Sequence, residues 1–94
     1  MRIIQLTDRY TRAVQRRGIL AGSPDGRAVG ATLRALAAEP ELPAAADYET
    51  LLPPVARAFV RRVQSRNLWV LYVFDDARVL PVSLTVTPPI PVED

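Results

Sequence analysis

Seven consecutive residues, Leu68-Trp69-Val70-Leu71-Tyr72-Val73-Phe74, are all aliphatic or aromatic. A segment apolar at every position is buried on both faces if it is a strand, which places it in the middle of a sheet. Turn-forming residues bound it: Ser65-Arg66-Asn67 before, Asp75-Asp76-Ala77 after. A strand over about 78–86 follows. Leu80, Val82, Leu84 and Val86 alternate with Val79, Pro81, Ser83 and Thr85, so the first set is expected beneath whatever covers the sheet. Pro81 has no N–H to donate, which predicts a bulge or an unpaired side there. The segment before the central run reads two ways. Val55, Phe59 and Val63 are four apart, as in a helix begun at Pro54, yet they also alternate with Ala56, Ala58, Val60 and Arg62. The strand reading, over about 57–64, is preferred because the central strand needs a hairpin partner.

The rest of the chain must cover this sheet. Arg2 to Leu6 reads as a short first strand. Thr7 or Asp8 caps a helix running to Arg17, and Gly18 fits its left-handed C-terminal position. Ser23-Pro24 starts a second helix. Val29, Leu33, Leu36 and Ala37 form its inward stripe, with Thr32 beside them, and it ends before Pro40. Residues 39–54 read as a proline-punctuated connector, with a turn of helix expected near 44–47. The sum is one α+β domain over residues 1–94 of order β-α-α-β-β-β. Two N-terminal helices pack on an antiparallel sheet, and an acidic, proline-rich tail spans 87–94.

Composition removes several chemistries. The chain has no Cys and no His, which excludes thiolate catalysis, Cys-based zinc sites and every His-dependent nucleophile. No metal site and no cofactor are expected. No segment has the length or hydropathy of a membrane span or signal peptide, so a cytoplasmic protein is expected. All twelve basic residues are Arg, with a net charge of +2. Their placement is uneven. Arg2, Arg9, Arg12, Arg16, Arg17, Arg27 and Arg34 crowd the first third; Glu39, Glu41, Asp47 and Glu49 follow; then come Arg57, Arg61, Arg62 and Arg66. Guanidinium forks suit phosphates and carboxylates, so nucleic acid and an acidic protein segment are both open as partners.

The stretch from Arg61 to Val79, RRVQSRNLWVLYVFDDARV, combines a basic strand, a turn, an apolar strand ending in an aromatic, an acidic turn and a final strand. With the chain length and element order, it resembles the RelE/ParE superfamily of bacterial toxin–antitoxin toxins. The resemblance implies an antitoxin partner and, for ribonuclease members, metal-independent cleavage of mRNA on the ribosome by Arg, Lys and Tyr of the sheet. Arg can stabilise the charge of a pentavalent phosphate, and a Tyr of shifted pKa can move the proton. By position the matching residues are Arg61, Arg62 and Tyr72 as catalytic candidates, with Arg57, Arg66 and Arg78 as nucleic-acid contacts. The chain departs from the family pattern in having no Lys, and in carrying Thr87-Pro88-Pro89-Ile90-Pro91 where such toxins hold basic or aromatic residues. That leaves a divergent nuclease, a non-cleaving toxin, or an inactive relative of the fold. Each candidate also has a plainer reading: core for Tyr72 and Trp69, solvated faces for the arginines.

Overall fold

A computed structural model of the chain describes residues 1–53 and 56–92. Val55, and Glu93 and Asp94 of the acidic tail, lie outside the described residues. The elements are β1 (Ile3–Ile4), α1 (Asp8–Arg16), α2 (Pro24–Ala38), β2 (Tyr48–Leu52), β3 (Ala56–Arg62), β4 (Trp69–Phe74) and β5 (Arg78–Thr85). They build an α+β fold around one sheet of order β1-β5-β4-β3-β2. The apolar run is β4, the central strand. Both its faces are covered: Val70 and Tyr72 belong to the core under the helices, and Leu71 to a second cluster on the opposite face.

Local chemistry sets the helix ends. Thr7 caps α1 by accepting from the Tyr10 N–H, and its hydroxyl donates to the Pro81 carbonyl at 2.8 Å, which fastens the helix start to β5. Gly18, with φ +64°, follows the last turn as expected. Ser23 caps α2 through the Gly26 N–H. Gly26 is required there, because a Cβ would lie 2.0 Å from the Leu20 carbonyl oxygen. Val29, Thr32, Leu36 and Ala37 of α2 are buried, and Tyr10 and Ala13 of α1 join them over Val63, Val70, Tyr72, Val79 and Leu84.

Three expectations are corrected. First, residues 48–52 form a strand where a connector was read. Tyr48, Thr50 and Leu52 alternate on one face, and the strand pairs antiparallel with β3 in register Tyr48↔Val60 to Leu52↔Ala56. Residues 44–47 form a turn and not a helix, because the Asp47 carboxylate accepts the Ala44 N–H and closes the chain there. Second, the sheet is mixed. β1 runs parallel to β5, pairing Ile3↔Arg78 and Ile4↔Val79. Arg2 holds it in place, bonding the carbonyls of Glu39 and Asp75 and lying over the Phe74 ring. Third, the faces of β5 are not those of simple alternation. The register with β4 steps from Leu71↔Ser83 to Tyr72↔Pro81, leaving Val82 as an extra residue. This bulge at Pro81, of the kind its missing N–H predicts, switches parity midway. Val79 and Pro81, and not Leu80 and Val82, are buried before it, and Leu84 after it; Val82 packs on the opposite face and Val86 is exposed.

That opposite face holds Ala58, Val60 and Leu71, ringed by Tyr48, Leu52, Trp69, Val73 and Val82. The C-terminal segment leaves β5 and returns to β2 on the far side of the sheet. The Tyr48 hydroxyl donates to the Pro89 carbonyl, the Thr50 hydroxyl to that of Ile90, and the Val92 N–H to that of Glu49. β2 is thus an edge strand closed by a proline-rich strap that offers few N–H groups to a further strand.

Candidate functional site

β3 alternates, so its arginines part company. Arg61 shares the helix-covered face with Phe59 and Val63, and Arg62 shares the other face with Ala58 and Val60. Arg61 meets the turn before β2. Its Nε and Nη2 donate to the two carboxylate oxygens of Asp47 at 2.7 and 2.9 Å, a bidentate pair. The Tyr72 hydroxyl, from the facing strand β4, donates to Asp47 Oδ2 at 2.5 Å, and the Ala44 N–H bonds the same oxygen at 3.1 Å. Glu39, at the end of α2, approaches Arg61 Nη1 at 3.5 Å. The Asp47 side chain is 0% exposed and that of Arg61 15%.

The electrostatics follow from this geometry. The Asp47 hydrogen bond holds the Arg61 guanidinium above its ordinary pKa, against the opposing effect of burial. Burial, and then the bond to Asp47, push the Tyr72 phenol far above its usual range. A phenol so placed keeps its proton and donates it to a fixed acceptor. The constellation is saturated: no buried side-chain N or O among the described residues lacks a hydrogen-bond partner. Chemically it is a tie between two strands, the turn before β2 and the end of a helix. It would be costly to break, because removing one member of a buried pair leaves an uncompensated charge.

The other candidate residues do not join it. Arg62 lies over the Trp69 ring at 5.6 Å and bonds the Arg66 carbonyl and Asn67 side chain, bracing the β3–β4 turn. Arg66 pairs with Asp25 at the start of α2, at 2.9 Å. Arg57 pairs with Glu49 across the β2–β3 hairpin at 2.9 Å, and Arg78 with Asp75 at 3.0 Å and with Gln5. Arg61 and Tyr72 are therefore brought together, and Arg62 and Arg66 meet at the β3–β4 turn, while Arg57 and Arg78 lie at other edges. A groove of about 430 Å³ between α2 and β3 reaches Arg61, Arg62, Gln64 and Ser65, and its other wall is Ala28, Ala31, Thr32 and Ala35. Among the described residues no three acidic side chains converge as a metal site would need.

Asp47, the hub, is the residue that sequence reasoning missed. A signal for it existed in the charge blocks. The acidic stretch 39–49 faces the basic stretch 57–66 across one hairpin, and Glu49–Arg57, Asp47–Arg61 and Glu39–Arg61 are its pairs. Comparison with protein families, with curated proteins and with solved structures found no match.

Proposed function

We propose that this chain is the toxin of a toxin–antitoxin pair, of RelE/ParE-like fold, and that it acts by binding its target and not by cutting it. The reading is supported by the element order, with two helices on one face of the sheet ahead of an antiparallel run of strands. One observation carries the preference for binding. The two side chains best suited to phosphoryl chemistry, Arg61 and Tyr72, are both committed to Asp47 beneath the helices. A guanidinium already neutralised by a buried carboxylate has little left to offer a phosphate, and a phenol held protonated is a poor base.

The test is controlled expression of the full chain in bacteria, with purified protein added to a translation reaction and to mRNA on ribosomes. Growth arrest without RNA cleavage is the expected result, and Tyr72→Phe should arrest growth as well as the parent does. Cleavage that Tyr72→Phe abolishes would restore the nuclease reading. A second reading, an interaction module with no toxic role, draws on the exposed Leu51 (65%) and Ile90 (83%), which line one apolar groove beside the strap. Absence of toxicity, with no antitoxin-like protein encoded next to the gene, would favour it.

A further inference from the structure

The arginines of the sheet and those of α1 are treated differently by the fold. Arg57, Arg61, Arg66 and Arg78 each have a carboxylate partner. Arg9, Arg12 and Arg16 have none among the described residues; Arg9 touches only the Pro53 carbonyl, at 3.3 Å. At 3.6 residues per turn the three fall within a sector of roughly 60°, one exposed stripe centred about 100° around the helix from the buried Tyr10 and Ala13. With Gln15 they are the whole lining of a groove of about 430 Å³. Like charges three and four residues apart weaken a helix slightly. The stripe therefore costs the helix a little, and Arg16, in the last turn, recovers part of that at the negative end of the helix dipole.

From this we infer that α1 is a binding face for the sugar-phosphate backbone of a nucleic acid. Arg9 to Arg16 spans about 10 Å of helix axis at ~1.5 Å per residue. Three guanidinium forks along that length can each take one phosphate of a strand laid beside the helix. Guanidinium forks and the Gln15 amide are donors, which is what a run of phosphate oxygens accepts. An acidic protein segment is the less fitting partner. The buried core of a protein–protein interface is more apolar than the rest of the surface, and the groove has no apolar lining residue. The inference rests on the placement of charge alone and does not need the toxin reading.

The full-length protein and labelled oligouridylate, followed by fluorescence anisotropy, test it. Three phosphate contacts to a single strand give a slope of log K against log[salt] of about −2, or a roughly fifteen-fold loss for a four-fold rise in salt. The triple variant Arg9→Ala/Arg12→Ala/Arg16→Ala should bind at least ten-fold more weakly with a slope near zero. The corresponding triple Lys variant should retain most of the binding. Arg34→Ala, at an exposed position of α2, should bind like the parent, and circular dichroism should show all variants folded. Undiminished binding by the triple Ala variant, no binding at low salt, or tighter binding of polyglutamate than of oligouridylate would each overturn the inference. Growth arrest is scored separately, so loss of toxicity with intact RNA binding would count against the toxin reading and leave this one standing.

Discussion

Arg61 and Arg12 are the same residue type in opposite situations, and the contrast separates structural from available charge. Arg61 lies under the helices with both oxygens of Asp47 and the edge of Glu39 around it. Arg12 is exposed on α1 beside other arginines. A charge taken out of water must be matched where it lies, so it becomes part of the framework and cannot be lent to a ligand. A charge left in water beside its like costs little and stays ready for a partner. By that criterion Arg61 belongs to the framework, while Arg57, Arg66 and Arg78, which sequence analysis also favours, keep solvent-exposed ion pairs. The solvated ones on the first helix are the ones at liberty.

The comparison can be broken most severely at Asp47. Asp47→Ala strands the Arg61 charge and the Tyr72 hydroxyl, and chemical denaturation should show a loss of about 3–5 kcal/mol. A loss under 1 kcal/mol would mean that Arg61 is not framework after all. Next in size is an alkaline effect. Burial pushes the Tyr10 phenol up to about 12, against about 10 in the unfolded chain. Between those values the unfolded state gives up a proton that the native state keeps. Stability that is full below pH 10 should therefore fall by roughly 2–3 kcal/mol as pH rises through 12. The raised phenol of Tyr72 acts in the same direction. Urea midpoints across that range should decline less in Tyr10→Phe than in the parent.

Smaller effects belong to the exposed groups. Arg57→Ala removes an ion pair open to solvent and should cost less than about 1 kcal/mol. Smallest of all, Arg12→Ala or Arg16→Ala should leave the thermal midpoint unchanged or slightly raised, by no more than about 0.5 kcal/mol in stability, because a like-charge contact is relieved. A clear loss of stability in either would place α1 among the framework charges and weaken its reading as a binding face.

How legible each part was depended on how local its cause is. The central strand, the cap at Ser23 and Gly18 at the end of α1 rest on residues within one turn of each other, and the structure has them where the sequence predicts. The β3 strand was ambiguous by periodicity and is decided by β4, which supplies its pairing. β2 escaped notice because Pro43, Pro53 and three alanines surround a short alternation of Tyr48, Thr50 and Leu52. Only pairing with β3 and the returning tail makes it a strand. Asp47 could not be singled out by its neighbours, since its partners are 14 and 25 residues away. The parity switch in β5 was half visible: Pro81 marks the irregularity, but the residue left over is known only from the register.

That leftover residue gives β5 a slack that the other strands lack. Val79 and Pro81 face the helices on one side of Val82, and Leu84 does so on the other. Removing Val82 alone would bring Leu84 to an even step from Pro81, so each inward side chain would keep its direction. Removing Leu80 would instead put Val79 next to Pro81 and turn part of the strand inside out, whereas removing Ser83 has the same effect as removing Val82. In a sheet where length is otherwise fixed by alternation, the pair Val82-Ser83 is where the chain can lose one residue and still fold the same way.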